Sequence, residues 1–295
     1  MKGENKAILL WGDLCIDHND IKGKKISSPG GSSFYCSKIF KELEWKPIII
    51  SPRGKDYNTD WLNGTEVYPK SPQTETTLIY QNNYNQKGER TLFAKNRRSA
   101  SFIEPSSVPE PYIKEAEGAV VCPIDNNIEL HHIKDLRQKM GREKVLACLP
   151  QGFFRRYKKN GEVYQEDWKE ERAIVPLLDL IFLSEEDGEN LDNKALEWSG
   201  LDTIVVITRA EKGCSVFQNK KRVDFPAFEV EEIVDPVGAG DVFSAAFVYS
   251  YLTDNDVKRA ARFANATAAI SLAFHAQEIK LDKIRINQLL KNSQT

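Results

Sequence analysis

Residues Asp235 to Phe247 read Asp-Pro-Val-Gly-Ala-Gly-Asp-Val-Phe-Ser-Ala-Ala-Phe, a turn with two glycines that runs into small and apolar residues. The preceding run, Glu229 to Val234, has β character, so the pattern predicts strand, glycine turn and helix in that order. Gly238 and Gly240 permit positive φ and close approach of a ligand to the backbone. A helix opening there presents unpaired N–H groups and its positive dipole end, a setting that favours an anion. Asp241 falls in the same turn. An isolated acid at this place reads most simply as a helix cap. Beside a Gly-Ala-Gly turn it also reads as a proton acceptor next to a phosphate cradle.

The rest of the chain supplies the sheet that such a turn needs. Ala7 to Trp11 is a continuous apolar run ended by Gly12-Asp13, the pattern of a buried parallel strand. Asp17 follows Leu14-Cys15-Ile16, and Asn19 to Lys25 reads as a polar turn. Pro29-Gly30-Gly31-Ser32-Ser33 is a second glycine turn, with Ser32 or Ser33 expected to cap a helix carrying Tyr35, Ile39, Phe40 and Leu43 at helical spacing. Ile48 to Ser51 reads as a strand ended by Arg53-Gly54-Lys55-Asp56. Thr74, Thr76, Leu78 and Tyr80, then Thr91 and Phe93, alternate in period two around a polar turn at Asn82 to Glu89, which predicts a hairpin beside the main sheet. From residue 117 strands and helices alternate: strands at 118–122, 144–149, 177–183, 202–209 and 213–218, helices at 130–141, 241–252 and 255–274. Gln151 to Arg156 and Ser184 to Asp187 read as strand-end loops. The class is α/β, a largely parallel sheet covered on both faces, whose ligands lie at the carboxyl ends of the strands.

Composition narrows the function. Basic and acidic residues nearly cancel, at 41 and 43, so charge gives no argument for a nucleic-acid or membrane partner. The cysteines number five, Cys15, Cys36, Cys122, Cys148 and Cys214, with no Cys-x-x-Cys pair; buried thiols in a reducing, cytoplasmic setting are expected. Met1 to Lys6 is polar and precedes only a short apolar run, which reads as neither signal peptide nor anchor. The histidines His18, His131, His132 and His275 show no ligand spacing with acids, and His131-His132 is expected on a surface helix. The Gly-x-x-x-x-Gly-Lys-Ser/Thr loop, the protein-kinase motifs and Gly-x-Gly-x-x-Gly after the first strand are all missing. What remains is phosphoryl transfer of another design, in which backbone N–H groups hold the charge and a carboxylate takes a hydroxyl proton.

Asp235 to Val248 closely resembles the C-terminal signature of the ribokinase-like (PfkB) carbohydrate kinases, and the resemblance extends over nearly the whole chain. It implies one ribokinase-like domain over 1–295, with lid segments near 17–28 and 73–95. It implies Asp241 as catalytic base and Gly238, Ala239 and Gly240 as an anion hole. ATP would be lined by Thr208, Gly213 and Asn265, and by Ser184 and Asp187 of Ser184-Glu185-Glu186-Asp187. That segment stands where the family carries Asn-x-x-Glu, so Asp187 would order magnesium-bound water from a shorter arm. Many members hold a monovalent cation, K+, beside the residues matching Asp235 and Val237. Phe274-His275-Ala276-Gln277 lacks the glycine usual near the adenine.

On the acceptor side, Asp17 matches the acid that holds sugar hydroxyls, Gly30 and Gly31 the di-glycine, and Asp56 a family loop. Asp13, Arg97 and Gln151 are further acceptor candidates, with Arg97 a bidentate partner for an acceptor that already carries phosphate. Tyr35 stands where ribokinases and fructokinases commonly show asparagine. Gln151-Gly152-Phe153-Phe154-Arg155 is similar to members related to inositol kinases. The expectation is an ATP- and magnesium-dependent kinase acting on a hydroxyl of a sugar or polyol, with no nucleic-acid or membrane partner. Two alternatives stand beside it: a catalytically silent sugar or nucleotide sensor on the same fold, and a nucleoside or vitamin kinase. A homodimer through the lid is expected from Leu78, Tyr80 and Phe93, apolar positions that read as exposed.

Overall fold

The apolar run near the start of the chain forms the interior of a nine-stranded sheet. A computed structural model describes residues 6–21, 24–84, 90–97, 102–230, 233–275 and 278–292. The first five residues, the tip of the predicted hairpin turn at 85–89, Glu231-Glu232 and Ala276-Gln277 lie outside the described residues.

In chain order the first half carries strands β1 (Ala7–Gly12), β2 (Cys15–Ile21) and β3 (Lys24–Gly30), then helix α1 (Ser32–Glu42). Strands β4 (Lys46–Ile50), β5 (Glu66–Tyr68), β6 (Leu78–Tyr84) and β7 (Arg90–Lys95) follow, then α2 (Glu110–Glu115), β8 (Ala116–Cys122) and α3 (Leu130–Met140). The second half carries β9 (Val145–Cys148), α4 (Gln151–Phe154), β10 (Arg155–Tyr157), β11 (Val163–Gln165), α5 (Glu171–Ile174), β12 (Leu180–Ser184) and α6 (Leu191–Trp198). It ends with β13 (Ile204–Thr208), β14 (Cys214–Gln218), β15 (Lys221–Phe225), α7 (Ala239–Asp254), α8 (Val257–Ser271) and α9 (Lys283–Asn292).

The large sheet has the order β15-β14-β13-β12-β9-β8-β1-β4-β5. It is parallel from β5 to β13 and antiparallel at β13-β14-β15. Strand β1 is buried at all six residues because it has a parallel neighbour on each side and helices on both faces, which is why its sequence is apolar without alternation. Ile8 and Leu10 point into the core shared with α1, α7 and α8. Leu9 and Trp11 point into the opposite core, with Ile133 of α3 and Trp198 of α6, as the period-two geometry of a strand requires. Helices α7 and α8 face each other through Ala245, Ala246, Ala260, Ala261 and Ala264, all fully buried. The chain passes from β1 to β4 on one side and to β8 on the other, so a crevice opens at their carboxyl ends.

A second sheet, ordered β3-β2-β6-β7, stands over that crevice. Here the structure corrects several expectations. The polar stretch 19–25 contributes to two paired strands rather than a turn; a small sheet tolerates polar residues on the face that water covers. Thr74 and Thr76 lie outside the hairpin, which begins at Leu78, and Thr74 makes only an isolated bridge to Gly54. The segment expected as a loop at Gln151 to Arg156 is the short helix α4 and strand β10. The described part of 229–234 is not a strand, and Ile233 and Val234 are exposed. The N-cap of α1 is Gly31, and no side chain caps it, so neither Ser32 nor Ser33 plays that part. Strands β5 and β15 gave no apolar signal because they are short or charged edge strands.

Leu78 and Tyr80 are buried within the chain, packed with Cys15, Ala94 and Ile124. Of the three apolar positions that suggested a dimer through this sheet, these two are therefore already covered, and Phe93 is half-buried. All five cysteines are free and buried. Among the described residues no helix is long and apolar enough to cross a membrane.

Candidate active site

Helix α7 begins at Gly238, whose φ of 78° and ψ of 3° place it in the left-handed region. Ala239 N–H donates back to the Pro236 carbonyl and Val242 N–H to the Gly238 carbonyl. The N–H groups of Gly240 and Asp241 have no acceptor among the described residues. A Cβ placed on Gly240 would meet nothing within 4 Å. Two free donors at the positive end of a 16-residue helix thus face open space, the arrangement that receives an anion. Asp241 is the third residue of the helix, so the structure sets aside the simpler reading of it as the cap.

Around Asp241 the acceptor-side segments converge. Ser32 stands beside its carboxylate and favours its charged form, and Cys36 Sγ lies 3.6 Å from its carbonyl oxygen. Burial pushes the Asp241 carboxyl up to about 6; the Ser32 hydroxyl and the Arg155 charge pull against that rise, and Asp187 and Asp17 add to it. Asp17, on β2, lies so close to Gly30 that a Cβ there would sit 2.3 Å from its Oδ2. Gly31 has φ of 96°, and a Cβ would sit 2.4 Å from the Asp13 carbonyl oxygen. The di-glycine is therefore required by contacts with Asp17 and with Asp13, just before the strand that carries Asp17. Tyr35 closes the other side, its ring edge where a Gly238 Cβ would be, 2.5 Å from Cδ1.

Two arginines enter from the crevice wall. Arg155 donates from Nη1 to the Ile124 carbonyl at 3.0 Å and lies 4.8 Å over the ring of Tyr80. The Tyr80 hydroxyl is bonded to the Ile124 carbonyl and lies 2.9 Å from that of Tyr157. Arg97 is held by side chains of the crevice wall. Its Nε and Nη2 both reach Asp125 Oδ1, at 3.0 and 2.9 Å, and its guanidinium stacks 3.2 Å from the Tyr157 ring centre. Strand β7 also receives Gly161, from the β10–β11 turn, through the Ala94 N–H at 2.8 Å. The small sheet is thereby joined to the segment that carries Arg155.

On the opposite side stand the nucleotide candidates. Asp187 is 8% exposed, its Oδ2 accepts the Ser184 N–H at 2.7 Å, and burial raises its pKa. Its other oxygen carries no hydrogen bond in the described structure and is not sealed from solvent. One partly desolvated carboxylate with a spare oxygen fits magnesium held through water and substrate phosphates, not a protein cage. Gly213, at φ 95°, would drive a Cβ to 2.1 Å from the Phe225 carbonyl oxygen. Asn265 donates to the Phe225 and Pro226 carbonyls at 3.2 and 3.1 Å, pinning the loop after β15. Thr208 Oγ1 donates to the Leu183 carbonyl at 3.2 Å. At Asp235, Oδ1 accepts the Val237 N–H at 3.0 Å, and Oδ2 faces the exposed His275 Nδ1 at 3.6 Å.

Asp13 Oδ1 accepts from Asn127 at 2.8 Å. Its Oδ2 is buried without a partner beside a cavity of about 20 Å³ lined by Arg53, Thr77 and Asn127, and burial lifts its pKa to about 7. That volume suits a single water. Asp56 Oδ1 accepts from the Thr77 N–H and hydroxyl at 2.8 and 2.6 Å and organises the approach to β6. Gln151 opens α4. The histidine expectation also changes, because Glu104 meets both His131 and His132 and His132 is 6% exposed. His132 Nδ1 accepts the Glu129 N–H at 2.9 Å, so the proton sits on Nε2, which faces Glu104 at 3.2 Å; that tautomer offers a metal no lone pair. Ser32, Asp125, Arg155 and Tyr157 were missed. An acid just past the end of β8 was a positional signal for Asp125; the others depend on contacts between distant segments.

Residues 63–282 match the family model described as pfkB family carbohydrate kinase. Cytidine kinase of Thermococcus kodakarensis is 25% identical over 247 residues, covering 78% of this chain and 82% of that protein. Inositol 3-kinase of Arabidopsis thaliana is 22% identical over 288 residues, covering 97% of this chain and 79% of that protein. Among solved structures, a pyrophosphate-dependent kinase in the ribokinase family, in complex with sulfate, gives a TM-score of 0.74 at 19% identity over 90% of this chain and 95% of that one. Arabidopsis thaliana ribokinase complexed with ribose and ATP also gives 0.74, at 13% identity over 97% and 99%. At these identities the structural likeness shows a ribokinase-like fold.

Proposed function

Because this chain belongs to the pfkB family of carbohydrate kinases, we propose that it transfers the terminal phosphoryl group of ATP to a hydroxyl of a neutral sugar or polyol. The observation that carries the reading is Asp241 itself. It is a carboxylate whose pKa is lifted to about 6, directly after a helix N-terminus with two uncommitted N–H donors. A base with a pKa just below neutrality is mostly ionised at pH 7 and still accepts a proton readily. Asp241 takes the acceptor proton, and the Gly240 and Asp241 N–H groups hold charge on the transferring group. Asp17 holds acceptor hydroxyls. Arg155 brings positive charge to the carboxylate cluster. Asp187 would hold magnesium through water, and the metal would supply charge neutralisation on the phosphates. The β3-β2-β6-β7 sheet acts as the lid that excludes water.

A neutral acceptor is favoured because Arg97 is committed to Asp125 and Tyr157, leaving its fork unavailable for an acceptor phosphate. A reducing compartment such as the cytoplasm suits five free, buried thiols. The test is ATP consumption with myo-inositol, D-ribose, D-fructose and cytidine, each with magnesium. Turnover with at least one is expected; nucleotide binding without any turnover would favour the sensor reading instead.

A further inference from the structure

The β10–β11 hairpin touches the small sheet, the crevice wall and the Ser184–Asp187 loop. Its strands pair antiparallel, Arg155 with Gln165, Arg156 with Tyr164 and Tyr157 with Val163. A hairpin this short is at best marginal in water by itself, so its position depends on what it leans on. Arg155, Tyr157, Val163 and Gln165 share one face, as the period of two and direct cross-strand pairing require. Tyr157 and Val163 pack against Cys15, Leu78, Tyr80, Ala94 and Ile124, a cluster that belongs mainly to the small sheet. At the tip, the Gly161 carbonyl accepts the Ala94 N–H of β7 at 2.8 Å, and Glu162 bridges to Phe93. Gly161 has φ of 87°, and a Cβ there would stand 2.6 Å from the Ala94 carbonyl oxygen. Backbone therefore meets backbone at this joint, with no room for a side chain between. At the base of the hairpin, Arg155 donates to the Ile124 carbonyl of the crevice wall. Directly opposite it, Gln165 Nε2 donates to the Glu186 carbonyl at 3.2 Å, one residue before Asp187.

We propose that this hairpin is a strut that makes acceptor and nucleotide bind cooperatively, with Gly161 and Gln165 as positioning residues at its two joints. The inference rests on the kinase reading above. An acceptor held by Asp17 steadies the small sheet, and through Gly161 the small sheet steadies the hairpin. Gln165 then holds the Glu186 carbonyl, and with it the loop from which Asp187 serves the nucleotide's metal. A nucleotide that meets an already ordered loop loses less freedom on binding, which gives positive cooperativity without a new contact. Linkage requires the converse, that bound nucleotide tighten the acceptor by the same factor. Gly161 and Gln165 hold neither ligand themselves, so cutting a joint weakens the coupling and leaves each ligand's separate affinity nearly intact.

The test is calorimetric titration with adenylyl imidodiphosphate and magnesium, without and with whichever of myo-inositol, D-ribose, D-fructose and cytidine the wild type phosphorylates. The ratio of the two dissociation constants reads the coupling. In the wild type it should be about 5 or more, and the same whichever ligand is varied. Gln165→Ala removes one neutral hydrogen bond from an exposed residue and should cut the ratio about 3-fold. Its nucleotide affinity without acceptor should stay within about 2-fold of wild type. Gly161→Ala breaks the other joint and should cut the ratio as far. The double variant should cut it no further, because both changes act through one element. A wild type that phosphorylates an acceptor yet binds nucleotide equally well without it overturns the inference alone. So does an unchanged ratio in Gln165→Ala, or a double variant whose two losses simply add. A variant whose melting temperature and both affinities fall while the ratio holds also overturns it, and would make the hairpin a prop. A wild type that turns over none of the panel overturns the kinase reading and this inference with it.

Discussion

Replacing Asp241 with asparagine separates two consequences of one burial. The carboxyl pKa rises from 3.8 to about 6 on folding. As pH climbs between those values the unfolded chain ionises while the folded chain holds its proton, so stability falls across about pH 4 to 6 and stays low above that window. A rise of that size is worth about 3 kcal/mol, and about 2 kcal/mol when the solvent contact that Asp241 retains is counted. Asparagine is uncharged and escapes this cost. The variant should therefore be about 1–3 kcal/mol more stable than wild type at pH 7.5, with the gap closing near pH 4. Turnover should fall by about 10²- to 10⁴-fold with nucleotide affinity near normal. Urea unfolding at pH 7.5 and 4, with steady-state kinetics and nucleotide titration, measures all three. A variant keeping more than a tenth of wild-type kcat would remove Asp241 from the base role, and one no more stable than wild type at pH 7.5 would refute the burial argument.

Since the base must be ionised, kcat/KM should rise with pH along a limb centred near 6, a profile that initial rates from pH 5 to 8 will trace. Arg155→Met removes a charge that lowers the Asp241 pKa, so the limb should move to higher pH; an unmoved limb would take Arg155 out of the site. Gly213→Ala forces an unfavourable φ and a contact with the Phe225 carbonyl, and unfolding should show a loss of about 2–4 kcal/mol with weakened nucleotide binding.

The legible parts of this protein were those in which local pattern and tertiary role coincide. Strand β1 showed itself because burial on both faces demands an unbroken apolar run. The Gly238–Asp241 turn showed itself because a helix start that leaves N–H groups free and passes close to a ligand needs glycine at defined places. Strands β2 and β3 stayed hidden, since a small sheet wetted on one side imposes little on its sequence. Thr74 and Thr76 misled for the complementary reason: two alternating threonines cost nothing in a loop, where Asp56 and Gly54 organise their neighbours.

The chain's residues alone determined the α/β alternation, the parallel sheet and the identity of the acid beside the glycine turn, because periodicity and turn chemistry are short-range properties. Only the tertiary structure decided how that acid behaves. The rise in its pKa comes from burial beneath segments more than two hundred residues away in sequence. The same packing commits Arg97 to Asp125 and turns Asp13 toward a water-sized cavity. Solvent exclusion and charge proximity depend on which surfaces meet, and no stretch of sequence carries that by itself.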